Sequence, residues 1–273
     1  MRKLMICILL LLLSLPTLAQ DEFAEYFGFF EGTFVIYDIN RDMMQVYNPQ
    51  RAAERFAPFS TYKVFHTAIA LETGTADSAD FVIEYDSSRY PYDSSLSLFY
   101  TPEQYTADHT LRSAVELSIV WYFREMAALI GEEDMQTYVT QFEYGNQDIS
   151  AWLGDSSGSA PFWLGGSLEI SAIEQVLVLN NLYQGNLGLS DSTTETTLDI
   201  ITLYETEDYR LYGKTGTRAG DLALAWFIGI IEQGEERYVF AFNVEANPAV
   251  RSQVLRAILV GEGYMPERSP LFQ

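Results

Sequence analysis

The sequence predicts an α+β fold: one β-sheet formed by both chain ends, with a mainly helical lobe inserted between them. Three observations predict it. β-Rich runs stand near the start and near the end of the 273-residue chain. The middle third carries apolar residues at helical spacing. No repeat and no low-complexity linker divides the chain, so the two β-rich ends must meet in one sheet to bury their apolar faces.

The elements follow in order. Residues 33–37 and 44–47 are strand-like and are separated by a polar turn at 38–42, which predicts a hairpin. A helix over about 61–72 is closed by Gly74. Residues 111–130 read as one long helix ending at Gly131, and 135–142 continue the pattern. Ser171 and Glu174 form a capping-box pair for a helix through Tyr183. Past Gly185 the character turns to β. Residues 209–212 lead into Lys214-Thr215-Gly216, then 222–231 and 237–244 are β-rich runs joined by a segment containing Gly234. Asn247-Pro248 starts a final helix through about Val260.

The first nineteen residues read as a secretory leader. Arg2 and Lys3 open it, an apolar stretch covers 4–15, and Thr17-Leu18-Ala19 is a small-residue cleavage site before Gln20. The apolar stretch is shorter than the roughly 20 residues a membrane span needs. Residues 20–273 are then a single domain, with the helical lobe at roughly 75–185. The expected address is the periplasm or outside the cell, with no membrane span after cleavage.

Composition excludes several functions. The only cysteine is Cys7, inside the leader, so the remaining chain offers no disulfide, thiolate metal site or cysteine nucleophile. No metal is expected. The formal net charge is −22 at pH 7, and loss of Arg2 and Lys3 makes it two units more negative. A chain this acidic does not hold nucleic acid through phosphate contacts. Against that field the few cations near the motifs stand out, Lys214 and Arg251 above all.

The chemistry begins at Ser60-Thr61-Tyr62-Lys63. Residues three apart share one face of a helix. A serine hydroxyl is a poor nucleophile until a base takes its proton, and a lysine serves as that base only if its pKa is depressed or it is chemically modified. The spacing alone is common, and a solvated lysine explains it equally well when read in isolation. Its weight comes from its company: Ser118-Ile119-Val120, Tyr144-Gly145-Asn146, Phe162-Trp163-Leu164 and Lys214-Thr215-Gly216-Thr217.

These five motifs, in this order over about 34–264, resemble the class D serine β-lactamases. Flanking words match as well, including Arg55-Phe56-Ala57-Pro58-Phe59 and Thr110-Leu111-Arg112. The resemblance implies a β-lactamase/transpeptidase-like fold, an antiparallel β-sheet flanked by helices with the mainly helical lobe inserted, and the active site between sheet and lobe. It implies Ser60 as nucleophile toward a small-molecule β-lactam, and Lys63 as general base for acylation and deacylation. It also implies that Lys63 is N-carboxylated by carbon dioxide or bicarbonate, with no other cofactor. By the same resemblance Ser118 would relay a proton to the leaving nitrogen and Lys214 would supply positive charge. The backbone N–H groups of Ser60 and Thr217 form the oxyanion hole. Val120, Trp163 and Leu164 line the lysine pocket, and the Trp163 indole steadies the carboxylated head. Thr215, Gly216, Thr217 and Arg251 bind substrate, Gly216 by allowing close backbone approach. Arg251 aligns more loosely because Arg256 is nearby. Tyr105 falls where the family has a cleft-edge aromatic, so the resemblance implies that it stacks on substrate.

Three departures concern substrate range: Tyr62 for the commoner phenylalanine, a long Gly/Ser-rich stretch at 151–161 read as a flexible flap, and a short loop at 217–221. Two alternatives stay open. One is a penicillin-sensor domain acylated without turnover, against which Val120 speaks, since sensors often carry a polar residue there. The other is a D-alanyl-D-alanine peptidase, against which the Trp163 segment speaks. The chain is expected to be a monomer or homodimer. His66 is read as a core or surface histidine.

Overall fold

The computed structural model describes residues 23–154, 160–218 and 224–269. The expected leader, the centre of the 151–161 stretch and most of the 217–221 loop lie outside the described residues. Among those described, no helix is long and apolar enough to cross a membrane.

Helix α1 (Ala24–Phe27) precedes the hairpin β1 (Gly32–Asp38) and β2 (Met43–Tyr47), in register with Val35 opposite Val46. Helix α2 (Pro49–Ala53) follows, capped by Asn48. A 3-10 turn, Phe59–Tyr62, then runs into α3 (Lys63–Glu72). The helical lobe holds the short pair β3 (Val82–Ile83) and β4 (His109–Thr110) with α4 (Pro102–Tyr105) between them. It continues through α5 (Leu111–Glu116), α6 (Val120–Ile130) and α7 (Glu132–Gln141). Helices α8 (Ala172–Tyr183) and α9 (Asp191–Ile200) lead back to the sheet. There β5 (Thr202–Glu205), β6 (Tyr209–Thr217), β7 (Leu224–Gln233) and β8 (Glu236–Glu245) are laid down before α10 (Pro248–Gly261) closes the fold.

The six-stranded sheet has the order β2-β1-β8-β7-β6-β5 and every pairing is antiparallel. The chain ends meet where Phe34 lies opposite Phe242. One sheet face packs Phe34, Phe227 and Phe242 against Phe27 of α1 and Leu255 and Leu259 of α10. The other face, with Val35, Ile228 and Ala241, continues without a break into the helical lobe through Phe65, Trp121 and Leu179. Residues 63–70 of α3 are all buried, as a helix lodged between two layers must be.

The predicted hairpin, the capping box at Ser171 and Glu174, and the Asn247 cap of the last helix are all present. Three expectations need correction. The helix expected from 61 begins as the tighter 3-10 turn, which moves Ser60 inside an element instead of before it. The expected continuous helix over 111–130 is two helices, broken at 117–119. The reason is a Schellman closure: Ser118 N–H bonds Val115 C=O at 3.1 Å and Ile119 N–H bonds Ala114 C=O at 2.9 Å. Ser118 takes the left-handed position of that motif, with φ of 59°. Finally, α9 and β5 occupy a stretch read only as a change of character. Thr-rich Asp191–Ile200 is helical because Ser190 caps it, accepting from Thr193 N–H, and because Thr193, Thr197 and Ile200 are buried.

Candidate active site

The turn that carries Ser60 is braced from below. Thr61 N–H and Oγ1 both bond the Pro58 carbonyl, at 3.2 and 2.8 Å, and Gln175 Nε2 of α8 donates to Thr61 Oγ1 at 2.9 Å. Trp226 of β7 donates its indole N–H to the Ala57 carbonyl at 3.1 Å. Phe59, just before the serine, has φ of 50°, a left-handed conformation that a bulky residue adopts only when its surroundings impose it.

Gly216 of β6 completes the bracing. A Cβ there would sit 2.7 Å from the Pro58 carbonyl oxygen. The close approach expected for a ligand is therefore made by the chain itself: glycine lets β6 press against the backbone just before Ser60. Beyond Gly213 the outer edge of β6 has no strand partner among the described residues, because β5 pairs only with 210–212. The outer edge of the Lys214–Thr217 stretch, whose Thr215 and Thr217 line the cleft, is thus left without a strand neighbour among the described residues.

Lys63 opens α3 and is completely buried, with Nζ 2.6 Å from Ser60 Oγ and 5.4 Å from the centre of the Phe123 ring. It makes no ion pair among the described residues. Burial, and then the charge of Lys214, hold its pKa well below the ordinary lysine value. An uncharged amine beside a serine hydroxyl can accept its proton. Val120 stands at the start of α6, one turn before Phe123. Val120 and Leu164 both line the cleft. Trp163 is fully buried, and its indole N–H has no hydrogen-bond partner among the described residues.

Lys214 Nζ donates to Ser118 Oγ and, at 3.3 Å, to the Thr215 carbonyl. Burial, and then Arg251, lower the Lys214 pKa to about 7. Arg251, in the first turns of α10, is only 9% exposed and donates from Nη1 to Thr217 Oγ1 at 3.2 Å. Its Nε is buried and unpartnered, and burial lowers its pKa to about 10. Arg256 instead holds the carbonyls of Glu267 and Ser269. The looser of the sequence alignments therefore falls on the arginine that faces the cleft. That cleft, about 620 Å³, is lined by Ser60, Ser118, Thr215, Thr217 and Arg251 on its polar side and by Leu98, Phe99, Tyr100 and Leu164 on its apolar side.

Tyr105, expected to stack on substrate at the cleft edge, is not among the residues that line the cleft. It is 7% exposed and packs among Tyr85, Tyr92 and Tyr100. Sequence reading missed Tyr100, whose hydroxyl donates to the Ser118 carbonyl at 2.8 Å, and the exposed Leu98 beside it. Only their position between two turns signalled them.

Tyr144-Gly145-Asn146 acts as a brace, as its reading as a structural turn requires. Gly145 has φ of 53°, and a Cβ on it would overlap the Glu169 carbonyl. Asn146 donates to the Ser167 carbonyl at 2.8 Å and accepts from Glu169 N–H at 3.0 Å. Ile170 in turn pairs with Phe56, so one frame positions both the Trp163 segment and the approach to Ser60. The flanks of the 151–161 stretch are pinned: Trp152 stacks on Phe162, and Arg124 donates to the Leu153 carbonyl at 2.7 Å. The flap expectation itself falls on residues outside the description. Tyr62 is buried with its hydroxyl 3.0 Å from Met135 Sδ. No cluster of three or more His, Cys, Asp or Glu suited to a metal occurs among the described residues.

The chain matches the family of penicillin-binding protein transpeptidase domains over residues 32–260. It is 37% identical over 226 residues to the probable β-lactamase YbxI of Bacillus subtilis, covering 83% of this chain and 77% of that one. It is 30% identical to β-lactamase OXA-20 of Pseudomonas aeruginosa, covering 90% and 89%. It is also 34% identical to the regulatory protein BlaR1 of Bacillus licheniformis over 91% of this chain, but it spans only 40% of that longer protein. Among solved structures, class D β-lactamase BAT-2 superposes with a TM-score of 0.80 at 32% identity, covering 90% and 97%. The C-terminal domain of the Bacillus licheniformis BlaR penicillin-receptor superposes with a TM-score of 0.76 at 33% identity, covering 90% and 96%. With Ser60 and Ser118 lining one cleft and each hydrogen-bonded to a buried lysine, the chain belongs to the penicillin-binding transpeptidase-domain family, and within it to the class D β-lactamases.

Proposed function

We propose that this protein hydrolyses β-lactams through an acyl-enzyme on Ser60. The observation that carries the reading is the fully buried Lys63 amine, 2.6 Å from Ser60 Oγ and without a counter-ion among the described residues. The base at Lys63 takes the Ser60 proton as Oγ attacks the lactam carbonyl. The developing oxyanion lies at the N–H groups of Ser60 and Thr217. The ring C–N bond breaks, and its nitrogen receives a proton through Ser118, which Lys214 resupplies. Arg251, beside Thr217, suits the substrate carboxylate. Deacylation repeats the cycle with water in place of the serine hydroxyl.

A neutral, buried amine is also what carbon dioxide adds to. The nitrogen lone pair forms a C–N bond, one C=O pair moves to oxygen, and the amine proton leaves to solvent. The unpartnered indole N–H of Trp163 fits such an anionic head. The group supplies an anionic base on a longer arm, serving acylation and deacylation alike.

Mass spectrometry tests the acyl-enzyme. Brief mixing with excess penicillin should add the mass of one intact penicillin to the wild type and nothing to Ser60→Ala. An adduct on Ser60→Ala would overturn the reading. A second reading, a sensor acylated without turnover, is kept because the BlaR1 likeness covers nearly the whole chain. We also place the protein outside the cytoplasm on the strength of its leader, for which N-terminal sequencing of exported protein should begin at Gln20.

A further inference from the structure

His66 is completely buried, and neither of its ring nitrogens has a hydrogen-bond partner among the described residues. That is unusual for a core histidine, since buried polar groups are nearly always paired. His109 shows the ordinary case: Nδ1 lies 3.0 Å from Ser113 Oγ and Nε2 lies 2.8 Å from the Gln104 carbonyl. His66 stands one turn after Lys63 on the same face of α3. Its ring centre is 5.1 Å from that of Phe123 and 5.5 Å from that of Trp163, edge-on to the indole. The head of Lys63 stands over the same Phe123 ring. Tyr62, the third ring against His66, turns its hydroxyl to Met135 instead. The imidazole nitrogens and the Trp163 indole N–H are therefore unmet polar groups gathered around one buried lysine.

We propose that His66 is a positioning residue for the base at Lys63: one imidazole N–H hydrogen-bonds the carboxylated head, alongside the indole N–H of Trp163. The inference rests on the carboxylation reading above. A neutral imidazole carries one N–H donor and one acceptor nitrogen, so it donates without bringing a positive charge into the pocket. Burial, and then the charge of Lys63, hold its pKa down to about 3 beside the free lysine; burial, the larger cause, still favours the neutral ring when the head carries no positive charge. Losing the N–H should weaken retention of carbon dioxide while leaving Ser60, Ser118 and Lys214 in place.

The test is a titration of the full mature protein with carbon-13 bicarbonate, following the carbonyl signal of carboxylated lysine by NMR. His66→Leu should need roughly ten-fold or more bicarbonate for half-occupancy, the size expected for one lost hydrogen bond to a charged group. His66→Gln, which keeps an N–H, should stay within about three-fold of wild type. High bicarbonate should restore turnover to His66→Leu, which it could not do for a variant merely misfolded. If His66→Leu does not fold, His66→Met, an adaptable core residue, takes its place. An unchanged bicarbonate titration in the donor-less variant overturns the proposal. A wild type with no carbonyl signal at any bicarbonate concentration sinks the carboxylation reading and this inference with it, and that failure is recognised because it appears without any substitution.

Discussion

Lys214 Nζ hydrogen-bonds Ser118 Oγ across 96 positions of sequence. Lys214 belongs to the sheet and Ser118 to the break between two helices of the inserted lobe, so this contact joins the two halves of the fold inside the cleft. Ser118 reaches it because its backbone is left-handed. A continuous helix over 111–130 would carry the hydroxyl along with the turns instead of holding it at the break.

That geometry separates stability from activity at one position. A left-handed conformation costs an L-residue roughly 1–2 kcal/mol that glycine does not incur. Ser118→Gly should therefore be about 1 kcal/mol more stable than Ser118→Ala in denaturant unfolding, while both acylate at least about 100-fold more slowly than wild type, the lower end for a lost proton relay. Equal stability of the two variants would contradict the assigned strain.

Gly216 makes the nucleophile's backing surface. Gly216→Ala places a methyl group against the Pro58 carbonyl. It should cost about 1–3 kcal/mol of stability, as overpacking does, and slow the acylation of Ser60. A variant with wild-type melting temperature and acylation rate would show that β6 and the Pro58 turn are not as tightly braced as described.

The buried lysine fixes a pH dependence of stability. Folding lowers the Lys63 pKa from its ordinary 10.5, so below that value the unfolded chain binds more protons than the folded one. The contribution of Lys63 is least unfavourable above 10.5 and worsens as pH falls toward the folded-state value. In bicarbonate-free buffer, the stability gained by Lys63→Met should thus be larger near about pH 7 than near about pH 9.5. Melting temperatures at the two values check it, and a gap that widened toward alkaline pH would have the wrong sign. The same variant should lose turnover altogether.

Arg251 should act on binding more than on chemistry. Removing a charged hydrogen-bond partner, as in Arg251→Ala, should raise KM for a carboxylate-bearing β-lactam roughly ten- to hundred-fold with a smaller effect on kcat. Steady-state kinetics against a substrate esterified at that carboxylate provides the control, since the ester should be insensitive to the substitution.

The β-rich ends and the lobe between them were legible because their periodicities differ and because caps such as Ser171 and Asn247 mark the boundaries chemically. The helix break at Ser118 was not, since a left-handed closure normally advertises itself with glycine and here a serine holds the position. Helix α9 was hidden because threonine is a weak helix former and only burial and a cap sustain it. At the site, Ser60, Lys63, Ser118, Lys214 and Arg251 were named from motif and family resemblance, and the structure sets Ser60, Ser118 and Arg251 on one cleft with a buried lysine hydrogen-bonded to each serine. Tyr105 was misplaced because a tyrosine-rich stretch offers several rings at similar spacing, and only the packing shows which one is interior. The isolation of His66 was invisible, because a sequence does not show whether a buried nitrogen finds a partner.

The central claim is turnover, and a time course measures it directly. The protein from Gln20 onward is mixed with a large molar excess of a chromogenic penicillin or cephalosporin, with bicarbonate present, and product is counted per protein molecule. The account predicts continued hydrolysis through many equivalents. A burst of about one equivalent followed by a plateau would contradict it and assign the chain to stable acylation, the behaviour of a sensor.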